Sequence, residues 1–399
     1  MRFDFTTILD RRGKDSVAAD MVPFADVVPD AGVETIPMWV ADMSFPVAPC
    51  VTRAIEKRME MPNYGYFPLP DAYYDAIKSW QSVRNGVSGL EKEHIGYENG
   101  VLGGVSSALR ALTEVGDRVL LHSPTYIGFT HVLDDIGRTA VHSPLVRDKD
   151  GIWRMDYADM EAKLRTGDIR IAILCSPHNP CGRAWERSEL ERAMELFEKY
   201  DVTVISDEIW SDILISGHRH IPTQTVSDDA KNRTVALYAP SKTFSLAGLI
   251  GSYHIIYNEE LRERVRKVSD ETHYNSCNVL SLHALLGAFT DEGMAWADEM
   301  CAVIDGNMRY ACDFIRENFP GVTFMRPEAT YILFLDCTEW LNSHGITIKE
   351  LLHRGVRAGV IWQDGEAFLL KNAIRMNLAL PFARLKEAFD RLKMSVFVD

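Results

Sequence analysis

Between about residues 115 and 255, short β-branched apolar runs alternate with amphipathic stretches, and nothing else in the chain narrows its fold as much. Four of these runs are Arg118-Val119-Leu120-Leu121-His122, Ile169-Arg170-Ile171-Ala172-Ile173-Leu174-Cys175, Val202-Thr203-Val204-Ile205-Ser206 and Thr234-Val235-Ala236-Leu237-Tyr238. Each reads as a buried strand, because short apolar runs rich in β-branched residues and bounded by turn residues suit a covered pleated surface. Helical patterns over 130–135, 156–165 and 187–200 lie between or beside them. Such an alternation predicts an α/β chain with a mostly parallel sheet.

Just past its C-terminal end, each run places one polar or aromatic group: Tyr126, Asn179, Asp207 and Lys242. Ligands bind at that rim in open α/β sheets. Lys242 stands among small and apolar residues in Ala239-Pro240-Ser241-Lys242-Thr243-Phe244. A buried ammonium is costly, and burial lowers a lysine's pKa toward that of an amine able to attack an aldehyde. Each group also has a plainer reading. Lys242 could snorkel from a strand end, Asp207 cap a helix, Asn179 serve an Asn-Pro turn and Tyr126 fill the core. Taken together, a carboxylate, an amide, an aromatic ring and a lysine on one rim fit a pyridine cofactor bearing an aldehyde, pyridoxal 5'-phosphate.

Composition sets the bounds. The 399 residues are 46% hydrophobic and 25% charged, as in ordinary soluble proteins, and the length suits about two or three domains. A net charge of −14 argues against nucleic acid or an anionic membrane as the main partner. The start, Met1-Arg2-Phe3-Asp4-Phe5, lacks the apolar core of a signal peptide, and no run reaches the roughly 18 apolar residues of a membrane span. Seven cysteines without ligand spacing suit reduced, cytoplasmic thiols and no metal site.

The rest of the chain arranges around this core. Residues 1–45 read as an N-terminal arm contributing to a small domain, 46–290 as a large cofactor-binding domain and 291–399 as a C-terminal α+β domain. Helices are expected over 48–60, 71–85 with Asp71 as the cap, 259–268, 348–354 and from 382 onward. A long helix over 276–317 would link the two domains. The turn at Asn99-Gly100 opens directly into a helical pattern, and free N–H groups there form a natural phosphate site, although glycine serves any tight turn.

The order of Tyr126, Ser176-Pro177-His178-Asn179-Pro180-Cys181-Gly182, Ser206-Asp207-Glu208 and Ser241-Lys242-Thr243-Phe244 resembles the fold-type I pyridoxal-phosphate enzymes of the aminotransferase class I/II superfamily. Within it, Met38-Trp39-Val40-Ala41-Asp42-Met43, Ala239 to Phe244 and Ile374-Arg375-Met376-Asn377 resemble the MalY/PatB-type carbon–sulfur β-lyases, which are cystathionine β-lyase-like. The similarity runs from about Asp4 to the last helix.

This resemblance implies a pyridoxal-phosphate transferase-like α/β fold and a cytoplasmic homodimer with shared active sites. Lys242 would carry the cofactor and move protons, Asp207 would face the pyridine nitrogen, Asn179 the phenolic oxygen and Tyr126 the ring. The amides of Gly100, Val101 and Leu102, with Ser241, would hold the phosphate, and Tyr66 would reach the phosphate of a neighbouring subunit. Arg375 would clamp the substrate α-carboxylate, with Asn179, Trp39 and Tyr66 also facing substrate.

The chain also departs from its relatives. Aminotransferases of this superfamily commonly carry Arg where Ile250 stands and often Ser where Ala239 stands, and both losses match the β-lyase subgroup. Trp210 stands where β-lyases tend to have His and aminotransferases Tyr. It either faces the ring and narrows the pocket or packs beneath a helix after Asp207. The 361–368 loop is altered as well. The first expectation is β-elimination from cystathionine or cysteine S-conjugates, releasing pyruvate, ammonia and a thiol. An aminotransferase with a keto-acid acceptor is the alternative, and a regulatory protein on the same scaffold a third.

Overall fold

The computed structural model describes residues 2–273 and 275–398. Seven strands form its central sheet: β1 (Ile95–Glu98), β2 (Arg118–Ser123), β3 (Thr139–Pro144), β4 (Ile169–Cys175), β5 (Thr203–Asp207), β6 (Thr234–Tyr238) and β7 (Ser252–Ile255). Their spatial order is β1-β7-β6-β5-β4-β2-β3. Neighbours from β6 to β3 pair in parallel, and β7 runs antiparallel to both β6 and β1.

Alternate side chains of these strands feed two separate cores. Leu120, Ala172, Leu174 and Val204 enter one, and Val119, Leu121, Ile171, Ile173, Ile205 and Val235 enter the other. Both faces are covered, which is why the strands read as nearly continuous apolar runs. Each fully buried Ile, Leu or Val contributes about 1.5–3 kcal/mol, so the sheet is a stiff platform for whatever its ends carry.

A second, antiparallel sheet is formed by β8 (Ile332–Asp336), β9 (Gln363–Asp364) and β10 (Ala373–Asn377), with β10 in the middle. The N-terminal segment joins this region, because Ile36–Pro37 pairs in parallel with Val360–Ile361 and the Asn377 N–H donates to the Met38 carbonyl at 2.7 Å. Gly182 locks the turn after β4 against the segment leading to β8. Its φ is +70°, a Cβ there would lie 2.7 Å from Pro327 Cβ, and the Glu328 N–H donates to its carbonyl at 2.8 Å. Only glycine tolerates that approach in that conformation.

Several expected elements differ. The long helix over 276–317 is two helices, Val279–Ala288 and Asp291–Asn318. The second starts at Thr290, whose hydroxyl accepts from the Gly293 N–H at 3.1 Å. Apolar periodicity continues through both, so only this cap marks the break. Asp71 is not a cap: it is the first residue of Asp71–Asn85, Pro70 holds the cap position, and its carboxylate binds Lys92 at 2.6 Å. No helix follows Asp207, where the chain makes turns closed by Ser211 N–H to Glu208 O and Ile213 N–H to Trp210 O, both 3.0 Å. The helix expected from 130 begins earlier, as Ile127–Asp135, and Thr338–His344 is a helix that the pattern does not announce. Among the described residues no helix is long and apolar enough to cross a membrane.

Candidate active site

Four strands that are consecutive in the sheet, β6, β5, β4 and β2, bring Lys242, Asp207, Asn179 and Tyr126 to one rim. All four line a single cavity of 460 Å3, together with Gly100, Val101, Leu102, Ser241, Trp39 and Arg375. Tyr66 does not join them. It lies fully exposed on an irregular segment and makes no part of its own chain's cavity wall.

Lys242 follows β6 on a tight loop closed by Phe244 N–H to Pro240 O at 2.9 Å. Its Nζ donates to the Ala41 carbonyl at 2.8 Å, a partner that carries no formal charge. Burial, helped by the positive charge of Arg375, lowers its pKa to about 8, with Asp42 and Asp207 opposing. A fraction of the amine is therefore neutral near neutral pH, as a nucleophile or proton acceptor requires.

Asp207 ends β5 with its side chain buried. One carboxyl oxygen accepts from the Ile209 N–H at 3.1 Å, and burial raises the group's pKa to about 7, against the pull of Lys242. A buried acid with so few donors is short of a partner, and a cationic ring nitrogen supplies one.

Arg375 sits in β10, buried, with its guanidinium 4.4 Å from the Phe368 ring centroid. It donates to the Trp39 carbonyl at 2.9 Å and to the Asn179 side-chain oxygen at 3.4 Å. Its Nε has no partner, and among the described residues no carboxylate pairs with it. Burial lowers its pKa to about 10. A desolvated guanidinium with unused donors is built for an anion from outside the chain.

The end of the cavity at Gly100 is shaped by backbone. Gly100, with φ +85°, is the N-cap of Val101–Leu112, a 12-residue helix with no side-chain cap. The first N–H groups of that helix lack intrahelical partners, and the helix dipole adds partial positive charge there. Ser241 lines the same cavity, and its hydroxyl makes a long 3.5 Å contact to the Gly251 carbonyl. An aldehyde-reactive amine, a buried acid, free helix amides and an unpaired guanidinium share one cavity, and this set fits pyridoxal phosphate together with an amino acid.

Trp210 both packs and faces the cavity. It is 2% exposed, meets Tyr331 edge-on at 4.7 Å between centroids and lies 5.7 Å from Lys242 Nζ. Three contributors escape a reading of the residues alone. The Ala41 carbonyl is backbone and carries no signature. Gln363 pairs with Arg375 across β9 and β10, and Phe368 lies beneath Arg375. Both belong to the altered 361–368 loop, which was the one available signal.

A mostly parallel sheet of this order, joined to a smaller antiparallel one, is the fold-type I architecture of pyridoxal-phosphate-dependent transferases. The chain belongs to the aminotransferase class I and II family, whose model matches residues 35–392. It is 34% identical over 395 residues to the cystathionine beta-lyase PatB of Bacillus subtilis (strain 168), covering 97% of this chain and 98% of that one. Protein MalY of Escherichia coli (strain K12) is 29% identical over 96% of each chain. The solved PLP-bound C-S lyase from Staphylococcus hominis matches with a TM-score of 0.88 at 31% identity, over 98% of both chains.

Proposed function

We propose that this protein is a pyridoxal-phosphate-dependent carbon–sulfur β-lyase acting on cystathionine or cysteine S-conjugates and releasing pyruvate, ammonia and a thiol. The observation that carries the reading is the convergence of Lys242, Asp207, Asn179 and unpaired Arg375 on one cavity. Relatives named as cystathionine beta-lyase and C-S lyase support the choice of reaction.

Pyridoxal phosphate, when bound, supplies an aldehyde for amines and a ring that withdraws electrons from the substrate's α-carbon. Lys242 Nζ would hold the cofactor at rest. Once freed, it takes the α-proton and returns a proton to the departing sulfur, which a pKa lowered to about 8 permits. With the cofactor bound, the carboxyl of Asp207 would lie at the ring nitrogen and favour its protonated form. Asn179 spends its oxygen on Arg375 and keeps its N–H2 for the phenolic oxygen. Tyr126, Gly100, Val101, Leu102 and Ser241 line the same cavity, where Tyr126 would flank the ring and the three amides with Ser241 would receive the phosphate. Arg375 fixes the substrate α-carboxylate, with Trp39 closing that side of the cavity.

The same reading takes residues 46–290 as the cofactor-binding unit and 291–399, with the arm 1–45, as the smaller one. It makes the protein a cytoplasmic homodimer in which exposed Tyr66 completes the phosphate and substrate sites of the partner subunit. The deciding experiment incubates the purified protein with cystathionine and assays pyruvate with and without 2-oxoglutarate. Pyruvate formation without a keto acid is the expected result. Strict dependence on 2-oxoglutarate, with glutamate formed, makes the protein an aminotransferase instead. Borohydride reduction should fix the cofactor to Lys242, and attachment to another lysine overturns the site.

A further inference from the structure

Asp207 is followed by a second acid, Glu208, which the chemistry above does not use. Side chains alternate along a strand, so the two acids diverge: Asp207 enters the cavity and Glu208 turns away into the protein, 0% exposed. Among the described residues no Lys or Arg pairs with it. Its carboxyl group is instead met by four donors from four places in the chain. Oε1 accepts from Ser206 Oγ at 2.8 Å and from the Thr223 backbone N–H at 3.1 Å. Oε2 lies 2.6 Å from His220 Nε2 and accepts from the Tyr238 hydroxyl at 2.6 Å.

The position of Tyr238 makes this cluster more than a plug. Tyr238 is the last residue of β6, and Lys242 follows it by one loop. Asp207 is opposite Leu237 in the register of β5 and β6, so Glu208 and Tyr238 are the first residues beyond that pairing. The Glu208 N–H donates to the Leu237 carbonyl at 2.9 Å, which ties the two strand ends by backbone as well. The Tyr238 ring is itself stacked on Tyr253 at 5.5 Å between centroids, and Gln81 donates to the Tyr253 hydroxyl at 2.9 Å.

We infer that Glu208 is a positioning residue: through Tyr238 it fixes the end of β5, which carries Asp207, to the end of β6, which delivers Lys242, and so sets the geometry between the cofactor's acid and its amine. The inference rests on the assignment of those two residues to the cofactor. An angular error of this kind is expensive for catalysis, because misplacement far smaller than a side chain lowers rates without loosening substrate binding. The titratable groups facing the Glu208 carboxyl are His220 and Tyr238, with Asp207 adjacent and Tyr253 behind Tyr238.

Two variants test this from opposite ends of one bond. Tyr238→Phe removes only the hydroxyl. Glu208→Gln keeps the shape, but the fixed Thr223 N–H claims the amide oxygen, so a neutral amide N–H2 faces His220 and Tyr238 and the short charge-assisted bond from Tyr238 is exchanged for a weaker neutral one. Both should therefore loosen the same link. In cofactor-loaded protein, each should lower kcat about fivefold or more with KM little changed, the rate equivalent of one lost hydrogen bond. Each should also shift the pH at which the absorbance of the Lys242-bound cofactor titrates, and the double variant should do little more than either alone. If Glu208→Gln does not fold, Tyr238→Phe decides the matter. A lowered Tm with unchanged kcat and an unchanged titration overturns the inference. Wild-type protein with no borohydride-fixed cofactor at Lys242 overturns both it and the reading beneath it, so the two failures are told apart.

Discussion

Arg375 donates to the side-chain oxygen of Asn179 at 3.4 Å, and this contact decides which end of the amide faces a ligand. With the oxygen occupied, the N–H2 is what Asn179 presents to the cavity. The same bond leaves the guanidinium's Nε unused and buried. Asn179, on the turn after β4, and Arg375, in β10, thus orient one another on the wall of one cavity.

The consequence is testable at Asn179. In Asn179→Asp, the new carboxylate pairs with Arg375 and competes with the substrate for it, while the donor to the phenolic oxygen is lost. KM for the amino acid should rise about 30-fold, as a charge-assisted contact of ~2 kcal/mol predicts, and Tm should rise because Arg375 is no longer unpaired. Steady-state kinetics and thermal unfolding check both. An unchanged KM contradicts the clamp role of Arg375.

A second expectation concerns pH. Burial raises the pKa of Asp207 from 3.8 to about 7, so in this window the folded chain holds a proton that the unfolded chain has released. Stability of the cofactor-free protein must then fall as pH rises from about 4 to about 7. The size is on the order of 2–4 kcal/mol. Lys242, lowered to about 8, acts above that range and in the opposite sense, adding stability as pH rises toward 10.5. Urea unfolding of wild type and Asp207→Asn should show the acid-side slope in the first and not in the second. Equal slopes assign it elsewhere.

Strand ends made the rim of this site legible in the sequence. A β-branched run fixes where a strand stops, and the polar and aromatic groups at that end and in the turn that follows are then near the rim. That logic reaches Tyr126, Asn179, Asp207 and Lys242, which line one cavity. It cannot reach the Ala41 carbonyl, because a backbone acceptor has no residue type. Nor does it reach Gln363, which enters the wall only through its register with Arg375 between strands 12 residues apart in number. Thr290 hides for a different reason. The apolar stripe runs on either side of it, and a single cap is a weak signal inside a strong period. For Asp71, the distant Lys92 claims the carboxylate, a competition local pattern does not reveal.

In the proposed homodimer, Tyr66 is the residue whose role would depend on a second copy of the chain. It is fully exposed and outside its own cavity, which suits a group that serves the partner's phosphate. Tyr66→Phe should weaken cofactor retention about fivefold, the order of one hydrogen bond, without changing the fold. Dialysis followed by cofactor absorbance measures the retention, and sedimentation measures the assembly. A fully active monomer contradicts the shared-site arrangement.

Trp210 carries the last prediction. An indole offers one N–H donor and no acceptor, so it cannot relay a proton as histidine can, and its contribution to the reaction is shape. Its ring lies 5.7 Å from Lys242 Nζ on the cavity wall while its edge-on contact with Tyr331 anchors it in the core. Replacing it with the smaller histidine therefore has two effects at once. The lost packing should lower stability by about 2–4 kcal/mol, in the range for shrinking a large buried aromatic. The vacated volume adjoins the cavity, so relative rates should move in favour of cysteine conjugates with bulkier S-substituents. Measuring kcat/KM for a graded series of S-alkyl cysteines in wild type and Trp210→His separates the effects. Loss of stability with an unchanged ranking means that Trp210 supports the site without shaping what enters it.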